Sequence, residues 1–429
     1  MTISSSPLLS ITKQRPFKAV LHAQSDTEEG SNTYQTHMRH LHIDIETYSE
    51  ADIAKQGVYV YTADPSFVIR LIAYAFDDEP VQIIECPDGR MPLPEWLSGA
   101  LLDPDVVKHA HNATFERVCF SRYIYQDPTE FLDPSQWECS MVKAAYCGLP
   151  LSLADVGKAL GFEQQKMTEG KKLIQLFCTP HEAKKGLFEN GPMAKAEDYP
   201  DEWETFKAYC VRDVEVERQI IRALEWYKVT DDERDLYAID QRINDRGVRV
   251  DKVMATQAER IDALAKARLG AELQAITGIS SVNSGPQIKK WLEERLGYDL
   301  DNVDKTTIAD LLKEADPTVR RVLQIRLQLQ KTSTSKYGAM LRTLGDGDRV
   351  RGLLQFFGTA TGRWAGRLVQ MQNLPQNHLE LDLLDPVDIR PHLAGHDEAD
   401  VRRRLEEPRR RTHGRQHAAA PVLVPAADP

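Results

Sequence analysis

The stretch LHIDIE, residues 41–46, decides the fold of the first part of the chain. Apolar and polar residues alternate along it, which is typical of a strand with one buried face. Asp44 and Glu46 are therefore expected on one face, while Ile43 and Ile45 point toward a core. Two carboxylates held together on a buried strand are costly unless a cation joins them. Taken alone, such a pair is more often solvated than catalytic.

The surrounding sequence predicts an α/β unit over residues 38–228. Apolar runs at 67–76, 81–86 and 106–110 favour further strands. Residues 151–160 and 171–177 have helical spacing, and 201–226 forms a long helical pattern with an acidic first turn. Residues 1–37 are rich in Ser, Thr and Gln without clear periodicity, which predicts a mobile leader.

Two further motifs accompany the strand pair. The sequence HNATFE, residues 111–116, follows an apolar strand, and YCVRD, residues 209–213, lies inside the long helix. Tyr209 and Asp213 are four residues apart, so they share one helical face. Singly, Tyr209 would be interpreted as a core aromatic and Asp213 as a surface acid.

Together the three motifs resemble the DEDDy family of 3′→5′ exonucleases in order, spacing and placement. The resemblance covers about residues 38–228 and implies an RNase H-like fold with two Mg²⁺ or Mn²⁺ ions per site. It implies that Asp44, Glu46 and Asp213 hold the nucleophile-side metal, with Asp44 reaching both ions. It also implies catalytic or substrate roles for three other residues: Glu116 at the second metal, Tyr209 on the attacking water, and Asn112 near the substrate. In the family the residue at position 116 is usually Asp, and the longer Glu116 puts the affinity for the second metal in doubt.

The next part of the chain, residues 229–384, carries a different pattern. Residues 229–343 look mainly helical, and 351–357 resembles a strand. TATGR at 359–363 is followed by QMQNLP at 370–375. This series resembles family A DNA polymerases and implies a mainly α thumb with the N-terminal part of a palm. The residues implied to contact a primer–template duplex are Lys331, Lys336, Arg363, Gln370, Gln372 and Asn373.

The charge distribution agrees with that interpretation. The chain carries a net charge of −11, yet residues 318–378 contain ten Lys and Arg against two acids, a local balance of +8. A local basic stretch is what phosphate binding needs, whatever the global charge. The alternative is a solvated basic face without a partner.

The carboxylates of a polymerase centre are missing from this sequence. Family A polymerases place two metal-binding aspartates beyond the QNLP motif, and no counterpart occurs in residues 376–429. From residue 385 the sequence has no aromatic residue and no lysine, and it carries eight Arg, eight acids and six Pro. Such a segment is expected to be disordered, and its composition suggests out-of-frame translation. A split polymerase completed by a second chain is the alternative.

Composition excludes several other classes. No apolar run reaches 18 residues, the N-terminus does not resemble a secretory signal, and no CxxC pair occurs. We therefore expect a cytoplasmic protein without a membrane partner that acts on single-stranded 3′ ends and binds primer–template DNA. Two rival functions are a non-catalytic DNA-binding remnant and an RNA 3′-exonuclease of RNase D type. The TATGR and QNLP motifs argue against the RNA enzyme.

Overall fold

The computed structural model describes residues 39–374, apart from 88, 90, 163–169, 182–192 and 331–333. A mixed five-stranded sheet organises the first part of the chain, in the order β3-β2-β1-β4-β5. β1 pairs antiparallel with β2 and parallel with β4; β3 extends the sheet antiparallel to β2, and β5 extends it parallel to β4. The strands are β1 Arg39–Tyr48, β2 Val68–Phe76, β3 Gln82–Glu85, β4 Val106–Ala110 and β5 Trp137–Cys139.

Helices cover both faces of this sheet. Leu41, Ile43 and Ile45 of β1 are almost fully buried in an apolar cluster that includes residues of α3 and α4. The opposite face packs against α7 and α8 through a cluster that contains Phe177 and Phe206. The helices of this part are α1 Ile53–Gln56, α2 Val58–Ala63, α3 Glu95–Leu102, α4 Thr114–Ile124, α5 Ser140–Tyr146, α6 Leu153–Ala159, α7 Gly170–Phe177 and α8 Pro200–Ala223.

The second part is mainly helical, as the sequence predicts. Its helices form a separate apolar cluster that contains Leu273, Ile288, Leu292 and Leu323, all fully buried. Ser284 caps one of these helices by accepting a hydrogen bond from the backbone N–H of Gln287. The helices are α9 Asp231–Arg246, α10 Lys252–Thr277, α11 Gly285–Leu296, α12 Lys305–Glu314, α13 Pro317–Leu329 and α14 Ser335–Arg342.

Short strands replace the longer strand expected at 351–357, so that prediction is wrong over most of its length. Gly352 has φ 69° and Phe357 has φ 49°, and both values lie in the left-handed region, which interrupts an extended ladder. Only two residues in this stretch pair as a strand. The short strands are β6 Val248–Arg249, β7 Leu344–Gly345, β8 Arg349–Val350, β9 Leu354–Gln355 and β10 Ala365–Gly366.

Several predictions fall on parts of the chain outside the described residues. These are the leader 1–37, the tail 385–429, residues 375–384 of the expected palm, and Lys331. Among the described helices, none combines the length and the apolar character that a membrane crossing requires.

Candidate active site

The central strand β1 places Asp44 and Glu46 on the face that packs against α8. Their neighbours Ile43 and Ile45 are 1% and 4% exposed and point to the other face, so the alternation expected from the sequence is present. Asp44 is opposite Ala73 of β2, and Glu46 is opposite Leu71.

The helix α8 brings Tyr209 and Asp213 to the same place. Both side chains are buried, and the Tyr209 hydroxyl lies near the Asp213 carboxylate one helical turn away. Burial, followed by the nearby carboxylates of Asp213, Glu46 and Asp44, raises the pKa of the Tyr209 phenol far above its ordinary range. The phenol therefore stays protonated and keeps a hydrogen to donate.

Glu116 reaches the same cluster from the first turn of α4. Its side chain is buried, and burial followed by the charge of Asp44 raises the pKa of its carboxyl well above the usual value. Glu46 and Glu217 contribute in the same direction. Among the described residues, Oε2 of Glu116 has no hydrogen-bond partner. A buried carboxylate oxygen in this state is expected to have a ligand, because leaving it without one is costly.

Two cysteines flank the carboxylates, and the sequence analysis did not identify them. Sγ of Cys210 lies 3.6 Å from Oδ2 of Asp44, and Sγ of Cys178 lies 3.7 Å from Oε2 of Glu46. Burial and the adjacent carboxylates raise the pKa of both thiols well above the usual value, so they are neutral neighbours. Cys210 directly follows Tyr209, but only the contact with β1 reveals its place.

The sequence analysis also missed a histidine–glutamate pair, which lies next to the carboxylates on the same two elements, β1 and α8. His42 precedes Asp44 by two positions on β1, and Glu217 follows Asp213 by one turn of α8. Nδ1 of His42 and Oε2 of Glu217 are 2.7 Å apart. Extending the period-two and i, i+4 patterns by one step would have indicated this pair.

Asn112 occupies the loop between β4 and α4. It is exposed and has φ 73°, a left-handed conformation that asparagine tolerates better than most residues. Thr114, two residues further along, donates its hydroxyl hydrogen to Oε1 of Gln241 on α9, which ties the start of α4 to the second part of the chain. Asn112 thus lies near the carboxylate cluster in sequence and remains open to solvent.

The residues expected to contact duplex DNA lie far from that cluster in sequence, and most of them are exposed. Arg363, Gln370, Gln372 and Asn373 are exposed, and Nδ2 of Asn373 donates to Oε1 of Gln370 at 2.9 Å. Lys336 is half-buried, and its Nζ donates to the backbone oxygen of Val369 at 2.7 Å.

Trp364 anchors the stretch 359–363 to α9. Its indole Nε1–H donates to Oδ1 of Asp240 at 2.8 Å, and the backbone N–H of Arg363 donates to the hydroxyl of Thr359 at 3.0 Å. Burial raises the pKa of Asp240 to about 6, although hydrogen bonds from Trp364, Gln241 and Asn244 act in the opposite direction. The exposed polar stretch is therefore held by a buried network.

The donor set of the cluster suits hard divalent cations. Asp44 and Glu46 of β1 lie near enough to Glu116 of α4 and to Tyr209 of α8 to raise the pKa of both, as Asp213 does for Tyr209. Carboxylate oxygens are the ligands that Mg²⁺ and Mn²⁺ prefer. The raised pKa of Glu116 shows that nothing in the metal-free protein compensates the negative charge of its ionised form, and its Oε2 has no hydrogen-bond partner among the described residues; a bound cation would supply that compensation. The residues present therefore fit the divalent metals that the sequence predicts.

Comparison with known proteins gives one strong sequence relative. The chain is 46% identical over 348 residues to a DNA polymerase of Bacillus phage SP02, a match that covers 80% of this chain and 52% of that protein. A solved structure, the POL domain of Pol1 from M. smegmatis in complex with DNA primer-template and dNTP, is 14% identical with a TM-score of 0.48. That match covers 79% of this chain and 52% of the solved chain. No protein-family model matches. Over most of its length, the chain is thus similar to a phage DNA polymerase, and it spans about half of that relative.

Proposed function

We propose that this chain is a metal-dependent 3′→5′ DNA exonuclease joined to a primer–template-binding region of the DNA polymerase I type. One observation carries the proposal: the carboxylates of Asp44 and Glu46 lie close enough to Glu116 and to Tyr209 to raise the pKa of both, and Asp213 does the same for Tyr209. The strand order, with β4 and β5 on one side of β1 and two antiparallel strands on the other, supports an RNase H-like assignment. The sequence relative supports DNA as the substrate.

The chain's own groups would divide the reaction between them. Two bound Mg²⁺ or Mn²⁺ ions would stabilise the attacking and leaving oxygens of an in-line displacement at phosphorus. Asp44, Glu46 and Asp213 would hold one ion, while Asp44 and Glu116 would hold the other. Tyr209, which stays protonated, would orient the attacking water by hydrogen bonding. Asn112 would contact the 3′-terminal nucleotide from its exposed loop. The products would be nucleoside 5′-monophosphates.

The second part of the chain would hold duplex DNA without reading its sequence. Arg363, Gln370 and Gln372 would donate to minor-groove acceptors that all base pairs share. Lys331 and Lys336 would contact backbone phosphates. The ammonium group of Lys336 already donates one hydrogen to the backbone oxygen of Val369. It carries three hydrogens, so two remain that could contact a phosphate.

A labelled-oligonucleotide assay tests the exonuclease. With Mg²⁺ or Mn²⁺, the chain should shorten single-stranded DNA from its 3′ end and release mononucleotides, whereas a 3′-blocked oligonucleotide should remain intact. Asp44→Ala should lower the rate by more than the roughly 10–100-fold that loss of an outer metal partner costs. Glu202→Ala removes an exposed acid in the first turn of α8 and should leave the rate unchanged.

The same assay separates the alternative functions. A chain that binds DNA but releases no nucleotide with either metal would be the non-catalytic remnant. Faster degradation of RNA than of DNA would favour the RNase D type. Asp44→Ala protein that degrades DNA at the wild-type rate would mean that this cluster is not the active site.

We also propose that this polypeptide does not extend primers by itself. Two-metal nucleotidyl transfer needs palm carboxylates, and residues 376–429 contain no counterpart of the motifs that supply them. Extension of a primed template with all four nucleotides would contradict the proposal.

A further inference from the structure

A second potential ligand cluster lies beside the carboxylates and belongs to none of the roles above. His42 on β1, His109 on β4 and Glu217 on α8 each offer one ligand atom, and these atoms all lie within 4.8 Å of one another. The three residues are 7%, 2% and 3% exposed. Side chains from three separate elements of the fold therefore meet in one buried place.

The contacts within the cluster leave two polar atoms without a hydrogen-bond partner. Nδ1 of His42 is 2.7 Å from Oε2 of Glu217, and the rings of His42 and His109 are stacked with centroids 4.6 Å apart. Among the described residues, Oε1 of Glu217 and Nδ1 of His109 are buried without a hydrogen-bond partner. Native proteins rarely leave such atoms without a hydrogen bond, water or ion.

Two more side chains border His109. Nδ1 of His40 is 2.8 Å from Nε2 of His109, and Oε2 of Glu138 is 3.7 Å from Nδ1 of His109. Each brings a further nitrogen or oxygen donor to the edge of the cluster. Three inner ligands and a neighbouring fourth donor are the usual composition of a tetrahedral site.

We propose that His42, His109 and Glu217 form a binding site for a Zn²⁺-type transition metal that links β1, β4 and α8. Imidazole nitrogen with one carboxylate suits Zn²⁺, whereas the all-carboxylate cluster at Asp44 suits Mg²⁺. The site does not depend on the proposed nuclease activity.

Zinc retention by the full chain tests the site. Metal-stripped protein would be incubated with Zn²⁺ in excess Mg²⁺, passed through gel filtration, and analysed for bound zinc. We expect about one Zn²⁺ per chain. Glu217→Gln and His109→Gln should lose this ion, whereas Asp44→Ala should keep it. Circular dichroism in EDTA would establish that each variant is folded.

Cobalt gives a readout that needs no variant. Co²⁺ bound to the wild-type chain in excess Mg²⁺ should show the intense visible absorption of a four-coordinate nitrogen and oxygen site. Wild-type protein that retains no zinc, or folded Glu217→Gln that retains as much as wild type, would overturn the proposal. Zinc that is lost in Asp44→Ala but kept in Glu217→Gln would place the ion at Cys210 and Asp44 and would also overturn it.

Discussion

Tyr209 is a single residue whose proposed role can be separated from the proposed metal binding. Its phenol stays protonated because burial and the nearby carboxylates raise its pKa. Tyr209→Phe removes a hydrogen-bond donor without removing a carboxylate, so we expect kcat to fall by about 10²-fold, the cost of losing one oriented donor. Stabilisation by Mn²⁺, measured by thermal melting, should be retained. Asp213→Asn should lose both nuclease activity and stabilisation by Mn²⁺. If Tyr209→Phe loses as much Mn²⁺ stabilisation as Asp213→Asn, the role proposed for Tyr209 is contradicted.

Glu116 gives the metal-free protein a dependence on pH. Burial, and then the charge of Asp44, raises the pKa of this carboxyl well above its usual value of 4.5. The folded protein therefore holds a proton that the unfolded chain releases, and stability falls as the pH rises from 4.5 toward the raised pKa. In EDTA, Glu116→Gln should melt at a higher temperature than wild type at pH 8 and near the same temperature at pH 4. If wild type instead melts at a higher temperature than Glu116→Gln at pH 8, the ionised Glu116 carboxylate is already stabilised in the metal-free protein and the prediction is wrong.

At the scale of elements, the start of α7 fixes the position of the Tyr209 ring. A Cβ at Gly170 would collide with Cε2 and Cζ of Tyr209. Gly170→Ala should therefore displace the ring, destabilise the fold by roughly 1–3 kcal/mol and lower nuclease activity. Gly157→Ala on α6 is the matched control, because its Cβ would meet Phe162 and Val216 at ordinary distances of 3.6 and 3.7 Å. It should be neutral or slightly stabilising. Chemical denaturation and the 3′-end assay measure both effects, and equal behaviour of the two variants would refute this packing argument.

The strand β1 and the helix α8 can be predicted from the sequence because each produces a local, periodic pattern of residues. β1 and α8 follow from period-two alternation and i, i+4 spacing, and these patterns place Asp44 beside Glu46 and Tyr209 beside Asp213. The strand predicted at 351–357 is wrong because Gly352 and Phe357 have left-handed backbone conformations, which interrupt an apolar run that otherwise resembles a strand. Cys178 was not predictable, because its contact with Glu46 depends on how α7 packs against the sheet.

On the scale of the whole molecule, one buried ion pair joins the sheet-containing part to the helical part. Arg117 on α4 donates to both carboxylate oxygens of Asp245 on α9, at 2.9 and 2.7 Å, and to the backbone oxygen of Leu132. The hydroxyl of Tyr59 donates to the same carboxylate at 2.7 Å. The side chain of Arg117 is 1% exposed and that of Asp245 is 12% exposed. Within the described residues, the carboxylate of Asp245 is thus the counterion of a guanidinium that water hardly reaches.

Asp245→Ala would leave that guanidinium buried without its counterion. We expect a loss of about 3–5 kcal/mol in the free energy of unfolding, the cost of breaking a buried pair from one side. Arg242→Ala is the matched control on the same helix, because Arg242 and Asp133 form an exposed pair at 3.1 Å with side chains 56% and 49% exposed. Arg242→Ala should lower the free energy of unfolding by about 0–1 kcal/mol.

Since Arg117 directly follows Glu116 on α4, Asp245→Ala should also lower nuclease activity, whereas Arg242→Ala should not. Denaturant unfolding gives the stabilities, and similar losses in the two variants would mean that the two parts are held together by apolar packing rather than by this pair.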